Sequence, residues 1–400
     1  MRKNFLPFHL PSIDQDDIEA VVDSLKSGWL TTGPKTQLFE HEFNEYVGCR
    51  HAIAVNSCTS ALHLALEAVG VGKADLVIVP VLTFTSTAAA VCYTGATPLF
   101  VDICPNDANM DSDKIDALLY RLGTDAKRAK AVIPVHYGGY PCDLNSIQEI
   151  TRQHGLYIIE DAAHALPTKY NMQMIGTIGD LTAFSFYATK NITTGEGGMV
   201  TTENDQWAEN IRKNSLHGMN RDAWKRYRAE GSWYYEVTDL GHKYNMPDTA
   251  AALGLQQLRK CDLFHEKRCA IAHQYTQHFS RMEAIELPGS TVNAINSCPD
   301  GYQHAWHLFP ILVSPNRLKI DRNRFIQELQ KRNIGSSVHF IPLHFHPYYA
   351  ERLGYQKGDF PVAESFYERT VSLPIHPRMT DEDVRDVIEA VYDITIQFKR

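Results

Sequence analysis

A series of short apolar runs recurs through the first half of the chain, and this pattern constrains the fold more than any other feature. Each run is nearly continuous rather than alternating, and a helical or turn segment separates it from the next. Strands buried on both faces of a mostly parallel sheet have this pattern. We therefore expect an α/β fold with helices on both faces of a mostly parallel central sheet, whose strands include residues 76–81, 98–101, 131–135, 157–159, 184–186 and 198–201.

The length of the chain and a change of pattern after residue 248 predict two domains. A chain of 400 residues exceeds one ordinary core. We expect a large domain over residues 1–260 and a smaller α+β domain over residues 261–400, with the N-terminal segment partly joining the smaller one. A single long helix over residues 249–280, with Asp248 as its N-cap, is expected to bridge the two.

Composition and charge exclude several classes of protein. Apolar residues make up 44% of the chain and charged residues 22%, which indicates a folded protein. The net charge of −8, with no basic tract, argues against nucleic-acid binding. Eight scattered cysteines form no C-x-x-C pair, which predicts reduced thiols. With neither a leader-like N-terminus nor a run of ~18 apolar residues, the sequence predicts a cytoplasmic protein that does not enter a membrane.

An aspartate and a lysine stand near opposite ends of the segment over residues 158–200. Asp161 follows an apolar run, so it is expected at the carboxyl end of a strand, where open α/β sheets bind ligands. Lys190 precedes a glycine-rich stretch that allows close approach of the backbone to a ligand. Pyridoxal phosphate needs both groups, because its aldehyde condenses with an amine and its ring nitrogen must stay protonated. The alternative for Asp161, a helix N-cap, stays open at this point.

Hydroxyl groups gather where the apolar run of residues 51–55 meets a helical pattern. Ser57, Thr59 and Ser60 stand at this strand–turn–helix junction, which presents backbone N–H groups to an anion such as phosphate. Ser185 adds a hydroxyl from a later strand. The alternative for the residues at the junction is simple helix capping.

An aromatic residue and several histidines complete the candidates. Phe84 follows a strand and could stack on the cofactor ring, the alternative being a core position. His164 could bond to the phenolic oxygen of the cofactor, the alternative being a structural role. The histidines at positions 339, 344 and 346 fit no zinc template, and no cysteine or carboxylate in their segment completes one. We therefore expect no metal site.

Longer motifs resemble a known family. They are GWLTTGP, PVHYGGYPCDL, EDAAHA, FSFYATKNITTGEGGMV and GHKYNMPDTAAALGLQQL, in this order along the chain. Together they resemble the DegT/DnrJ/StrS-type sugar-nucleotide aminotransferases from about residue 5 to the C-terminal helix. The resemblance implies the aspartate-aminotransferase-like fold (fold type I), pyridoxal phosphate as the cofactor, and a homodimer with active sites at the subunit interface.

The resemblance also implies a role for each candidate. Lys190 matches the lysine that forms the Schiff base, and Asp161 matches the partner of the pyridine nitrogen. The other implied cofactor contacts are His164 at the phenolic oxygen, Thr59, Ser60 and Ser185 at the phosphate, Phe84 on the ring, and Asn245 at the phosphate of the other subunit's cofactor. Contacts with substrate are expected from Trp29, Thr31, Thr32, His339 and Tyr348.

Within the family, FLPFHLP, SGWLTTGPKTQ, HAWHLF and SVHF resemble enzymes that aminate a UDP-linked 4-keto sugar, such as the one making UDP-4-amino-4-deoxy-L-arabinose for cell-surface polysaccharide. The resemblance implies that L-glutamate gives its amino group, forms pyridoxamine phosphate and leaves as 2-oxoglutarate. One alternative is a sugar-nucleotide dehydratase, in which relatives replace the lysine with histidine. Another is a pyridoxal-phosphate-binding regulator without turnover, which predicts a damaged site. Lys190 favours the aminotransferase.

Overall fold

A computed structural model of the chain describes residues 2–219, 234–296 and 301–400. The strands of this part are β1 (His51–Val55), β2 (Leu76–Pro80), β3 (Thr97–Val101), β4 (Ala129–Val132), β5 (Tyr157–Asp161), β6 (Lys169–Tyr170), β7 (Gln173–Met174), β8 (Leu181–Ser185), β9 (Gly198–Thr202), β10 (Ile285–Glu286), β11 (Phe309–Val313) and β12 (Thr370–Leu373). The helices are α1 (Gln15–Ser27), α2 (Pro34–Val47), α3 (Cys58–Ala68), α4 (Thr85–Tyr93), α5 (Ser112–Leu122), α6 (Leu144–His154), α7 (Asp205–Asn214), α8 (Asp248–Arg259), α9 (Cys261–Phe279), α10 (Gly289–Asn296), α11 (Arg322–Lys331), α12 (Pro347–Leu353), α13 (Pro361–Arg369) and α14 (Asp381–Gln397).

The central sheet holds seven strands in the order β1-β9-β8-β5-β4-β2-β3. Strands β3, β2, β4, β5 and β8 pair in parallel, whereas β9 runs antiparallel to both of its neighbours, β1 and β8. The expected mostly parallel sheet is confirmed. Strand β4 ends at Val132, earlier than predicted, because Pro134 has no N–H to donate to a neighbouring strand.

Both faces of this sheet are buried, which explains why its strands are apolar without alternation. Along β2, Leu76 and Ile78 pack into one apolar cluster, whereas Val77 and Val79 pack into another. Successive side chains of a strand point to opposite faces, so the two clusters lie on the two sides of the sheet. Each side therefore needs a covering layer of helices.

A second sheet, β10-β11-β12, is antiparallel throughout. Helices α9, α11 and α14 share a third apolar cluster with it, which contains Phe309 and Phe325. The N-terminal segment reaches this region, because the N–H of Leu6 donates to Asn333 and that of Gly335 donates to Leu6, both at 2.8 Å. The domain boundary near residue 260 stays a prediction. Among the residues described, no helix is long and apolar enough to cross a membrane.

The predicted single helix over residues 249–280 is wrong, because α8 and α9 are separate helices that meet at Lys260 (φ −102°, ψ 1°). The ammonium group of Lys260 contacts the carboxylate oxygens of Asp14 at 2.8 Å and Asp17 at 2.6 Å. The start of α1 therefore holds the chain where the helix axis changes. No glycine or proline near residue 260 marks this break in the sequence.

The prediction that Asp248 is the N-cap of the helix is wrong, because Pro247 holds that position in α8. The buried carboxylate of Asp248 accepts hydrogen bonds from the backbone N–H groups of Gly33 (2.7 Å), Lys35 (3.0 Å) and Thr36 (2.9 Å) at the start of α2. Helix α2 has a glycine N-cap, with no side-chain hydrogen bond from that position. A distant aspartate therefore caps it, and local sequence spacing could not reveal this.

Candidate functional site

A cavity of about 540 Å³ opens at the carboxyl ends of strands β2, β5 and β8. The candidates that line it are Thr59, Phe84, Asp161, His164, Ser185, Lys190 and His339. They come from distant parts of the chain, but parallel strands end at one edge of a sheet, and that edge is where ligands of open α/β sheets bind. The topology therefore brings these side chains together.

Lys190 lies in a turn after β8, where its backbone N–H donates to the carbonyl of Tyr187 at 2.9 Å. Burial lowers the pKa of its amine from 10.5 to about 8, while the charge of the Asp161 side chain acts in the opposite direction. A large fraction of the amine is therefore neutral near pH 8. A neutral amine is the form that attacks an aldehyde.

Asp161 ends β5 and is 3% exposed. Burial raises the pKa of its carboxyl group above the ordinary value. A hydrogen bond from the Thr87 hydroxyl to Oδ2 (2.8 Å), one from the Ala163 backbone to Oδ1 (3.1 Å) and the charge of Lys190 oppose this rise. Asp161 thus bonds to the backbone two residues ahead and lines the cavity, but no helix begins in the described residues that directly follow it, so the alternative of a helix N-cap is wrong.

The turn before α3 forms one wall of the cavity. Ser57 caps the helix by accepting from the backbone N–H of Ser60 at 3.1 Å, and both Ser57 and Thr59 line the cavity. Ser60 lies outside the lining, and its hydroxyl donates to Asn56 at 2.7 Å. A Cβ added to Gly198 would lie 2.6–2.7 Å from backbone atoms of this turn. Glycine therefore lets the start of β9 approach the turn.

His164 is held in one orientation by three neighbours. Its ring stacks on His307 (centroids 4.2 Å apart) and on Phe340 (5.8 Å), and its Nδ1 accepts from the backbone N–H of Gly138 at 3.3 Å. Burial lowers its pKa well below the ordinary value, with the charges of Lys190 and His339 adding to the effect. A neutral ring that accepts at Nδ1 carries its proton on Nε2. His164 is therefore a hydrogen-bond donor at Nε2.

Several lining residues were not singled out from the sequence. They include Phe8, His9, Tyr187, Thr189, Glu196, His307 and Phe340. His307 lies in the motif HAWHLF and Phe340 in SVHF, both of which entered the family resemblance without a role for these residues. Phe8 and His9 likewise lie in the motif FLPFHLP, and the N-terminal segment reaches the cavity only through tertiary pairing.

The remaining candidates lie outside this chain's own cavity lining. Asn245 donates to the Thr32 hydroxyl at 2.7 Å, the Trp29 ring N–H donates to the Thr32 carbonyl at 3.1 Å, and the Thr31 carbonyl accepts from the N–H of Asp248 at 3.3 Å. We call Trp29, Thr31, Thr32 and Asn245 the Asn245 cluster. Tyr348 lies on α12, about half exposed, with its ring against Tyr349.

Residues 11–392 match the DegT/DnrJ/EryC1/StrS aminotransferase family. The chain is 50% identical over 394 residues to the spore coat polysaccharide biosynthesis protein SpsC of Bacillus subtilis, covering 98% of each chain. Its structure is similar to the PLP form of the putative sugar aminotransferase Spr1654 from Streptococcus pneumoniae (TM-score 0.88, 32% identity, 98% of this chain and 99% of that one). It is also similar to Helicobacter pylori PseC, an aminotransferase involved in the biosynthesis of pseudoaminic acid (TM-score 0.89, 29% identity, 99% and 100%).

These matches and the cavity define a pyridoxal-phosphate-dependent aminotransferase of fold type I, as expected from the sequence. The chain belongs to the DegT/DnrJ/EryC1/StrS aminotransferase family. The residues present fit the cofactor. The cavity has an amine, a buried carboxylate and a helix N-terminus on one wall, and Gly198 lets strand β9 approach the turn that forms this wall. Phe84 at its margin is 57% exposed, so its ring is free to stack on a ligand.

Proposed function

We propose that this enzyme transfers an amino group from L-glutamate to the C4 keto group of a UDP-linked keto sugar. The observation that carries the proposal is the meeting of a desolvated amine, Lys190, with a buried carboxylate, Asp161, in one cavity beside a helix N-terminus. The names of relatives, sugar aminotransferase and spore coat polysaccharide biosynthesis protein, support a sugar acceptor. The nucleotide, the C4 position and the donor rest on the sequence resemblance.

Lys190 has two tasks in this proposal. Pyridoxal phosphate supplies an aldehyde that binds amines and a ring that accepts electrons. Lys190 would hold the cofactor through Nζ and, once glutamate has displaced it, would take the proton from the substrate carbon and return it elsewhere. A pKa of about 8 suits both directions, because both protonation forms are then present near neutral pH.

Asp161 and the α3 turn fix the two ends of the cofactor in the proposal. Asp161 would keep a proton on the ring nitrogen, because a cation beside this buried carboxylate offsets the cost of burying its charge. The free N–H groups at the start of α3, with the hydroxyls of Thr59 and Ser185, would bind the phosphate. Ser60 would stabilise the phosphate-binding turn rather than contact the phosphate, because its backbone N–H donates to the Ser57 hydroxyl and its own hydroxyl donates to Asn56.

His164 and Phe84 complete the proposed cofactor contacts. The Nε2–H of His164, whose tautomer Gly138 sets, would donate to the phenolic oxygen. Phe84 would cover one face of the ring. His339 lines the same cavity, and a bond between its Nδ1 and the Ser372 hydroxyl (2.8 Å) orients its ring. His339 is therefore our first choice among the proposed sugar contacts.

We further propose that the active enzyme is a homodimer in which the Asn245 cluster completes the partner's site. Asn245 lies outside the cavity of its own chain, yet the resemblance gives it a phosphate contact. A site shared between subunits reconciles these two statements. Trp29 and Thr32 are hydrogen-bonded within this cluster, and Thr31 accepts from Asp248 beside it; all three would face the sugar from the partner. We also propose a cytoplasmic location, because eight scattered cysteines without a C-x-x-C pair indicate reduced thiols.

The first test is spectroscopic. The purified enzyme is expected to show the absorption band of lysine-bound pyridoxal phosphate, and L-glutamate should convert that band to the band of pyridoxamine phosphate. Lys190→Ala should lack the first band, whereas Lys127→Ala, which changes an exposed lysine, should keep it. If Lys190→Ala kept the absorption band of lysine-bound pyridoxal phosphate, the assignment of Lys190 as the cofactor-binding lysine would be overturned.

The acceptor is tested by the reverse spectral change. The pyridoxamine form would be mixed with UDP-, dTDP- and GDP-linked keto sugars that carry the ketone at C3 or C4. The UDP-linked 4-keto sugar is expected to restore the first band fastest. A dehydratase would instead release water from the sugar without net consumption of glutamate, and faster recovery with another nucleotide or a 3-keto sugar would refute the acceptor proposed here.

A further inference from the structure

We propose that His63, Glu67 and His242 bind a divalent transition-metal ion, with Zn²⁺ as the first choice. None of the three lines the cofactor cavity, and the sequence interpretation gave none of them a role. The expectation that the chain binds no metal considered only the histidines at positions 339, 344 and 346. In the structure His344 instead pairs with Glu364 and His339 with Ser372.

The three side chains converge from two separate elements. His63 and Glu67 lie four residues apart on α3, so they share one face of the helix, and His242 comes from a segment 175 residues after Glu67. Oε1 of Glu67 lies 3.0 Å from Nε2 of His242 and 3.6 Å from Nε2 of His63. One ligand atom from each residue lies within 4.8 Å of the others.

These distances suit a tetrahedral ion. Zn²⁺ binds histidine nitrogen and carboxylate oxygen at about 2.0–2.2 Å, which places neighbouring ligand atoms roughly 3.4 Å apart. The separations from Glu67 to the two imidazoles are close to this value. Two histidines and one carboxylate also form a donor set found in zinc sites, in which water takes the fourth position.

The surroundings orient the ligands. The Tyr244 hydroxyl lies 3.2 Å from Nδ1 of His63, which leaves Nε2 of that ring for the ion. The ring of Tyr244 stacks on His242, with centroids 4.7 Å apart and planes 13° apart. Tyr93 contacts His63 edge-on. Hydrogen bonds from an outer shell to ligating histidines are a general feature of metal sites, because they fix the tautomer and the ring orientation.

Glu67 carries a second indication of a ligand. Its Oε2 is buried and has no hydrogen-bond partner among the residues that the structure describes. A buried carboxylate oxygen without a partner costs free energy, and coordination to a cation would remove this cost. The side chains of Glu67 and His242 are 27% and 24% exposed, so an ion can enter from solvent.

The ion would join two segments with proposed roles in cofactor binding. Helix α3 begins at the turn proposed to bind phosphate, and His242 stands close in sequence to Asn245. Metal binding would therefore restrain both segments. This consequence rests on the proposed cofactor site, whereas binding of the ion does not.

The test uses the tag-free holoenzyme after chelator treatment and desalting. Titration with Zn²⁺ alone is expected to give one ion per chain, and Co²⁺ should give the visible absorption of a tetrahedral site. Glu67→Gln and His242→Asn should each weaken Zn²⁺ binding at least tenfold. His41→Asn should leave it unchanged, because His41 and Glu45 form an exposed pair at the same helical spacing, 3.5 Å apart, outside any described three-ligand cluster.

The proposal fails if the wild-type chain takes up no ion stoichiometrically, or if both variants bind Zn²⁺ as tightly as the wild type. Folding is monitored by the cofactor absorption band, which both variants should retain. Lys190→Ala should bind one Zn²⁺ per chain like the wild type, so failure of the cofactor assignment and failure of the metal site give different results.

Discussion

Lys190 and Asp161 influence each other through charge, but burial has the larger effect on both. Mutual attraction would raise the pKa of the amine and lower that of the carboxyl group. The structure shifts both in the opposite direction, because removal of water from a charged group outweighs attraction to its partner. Each group is therefore closer to neutrality than in water. A cationic ring nitrogen and an anionic phosphate would change this balance when the cofactor binds.

The reaction of Lys190 with pyridoxal phosphate should accordingly depend on pH. In cofactor-free enzyme, the rate at which the lysine-bound band appears should rise through a midpoint near pH 8, because only the neutral amine attacks. Stopped-flow absorbance at a series of pH values measures this midpoint. Since Asp161 raises the pKa of Lys190, Asp161→Asn should move the midpoint to lower pH. A midpoint near 10.5 would show that the amine is fully solvated.

The sequence identifies which residue types belong to the site better than it predicts whether each side chain points into the cavity. Lys190 and Asp161 follow from residue type and position after a strand, and both line the cavity. Ser60 was grouped with Thr59 because both are hydroxyl residues at a helix start, yet the Ser60 hydroxyl turns away to Asn56. The choice depends on a side-chain rotamer and a neighbouring partner, and local sequence carries neither. The metal-site histidine His242 likewise meets His63 only through folding.

At the scale of elements, α2 and α8 are joined by one carboxylate. Asp248 on α8 accepts three backbone N–H groups and the Thr36 hydroxyl at the start of α2. These bonds satisfy donors that a helix start leaves free, and the negative charge suits the helix dipole. The packing of the two helices thus depends on a buried carboxylate that lies on α8 and caps the start of α2.

Asp248→Ala should lower the free energy of unfolding by about 2–4 kcal/mol, because it leaves several buried donors without an acceptor. Denaturant unfolding at saturating cofactor measures the loss. Asp321→Ala is the matched control, since Asp321 is an exposed N-cap that accepts one N–H, from Arg324 at 2.8 Å. Its loss should be ~1 kcal/mol. Equal losses in the two variants would contradict the special role of Asp248.

The sequence predicted the central sheet because its strands are buried on both faces, and this leaves a continuous apolar pattern. It did not predict the break at Lys260. Helical periodicity runs through that position, and the helix ends there in the presence of Asp14 and Asp17 from a distant helix. A strand or helix whose position is set by its own sequence pattern is therefore predictable, whereas an element boundary set by contacts with distant residues is not.

At the scale of the whole molecule, subunit sharing can be tested by complementation. Lys190→Ala removes the amine, and Asn245→Asp would place a negative charge beside the partner's phosphate, so each homodimer should lose most of its activity. In a mixed dimer, one site combines an intact Lys190 with an intact Asn245. Co-refolded chains should therefore regain about a quarter of wild-type activity, because half of the dimers are mixed and each has one complete site.

Activity of the mixture and of the separate variants would be measured with the same total chain concentration. A mixture no more active than the mean of the two variants would show that Asn245 acts in its own subunit. Lys127→Ala mixed with Lys190→Ala serves as the control for recovery from refolding: because Lys127 lies on the exposed surface, this mixture should keep half of wild-type activity whether or not the chains exchange. Exchange itself would be measured by giving the two variants different affinity tags and co-purifying the mixed dimer.

The reversal of β9 has a consequence for Lys190, the lysine proposed to react with the cofactor. Because β9 runs against β8, the segment between them leaves and re-enters the sheet at the same edge, and backbone bonds between Phe186 and Gly197 and between Thr194 and Phe186, each 2.9 Å, close it. Lys190 is thus tethered on both sides within the cavity. A short closed tether gives an attached group an effective concentration of about millimolar or above. In the role proposed for it, Lys190 could therefore compete with free amino acids for the cofactor aldehyde after every turnover.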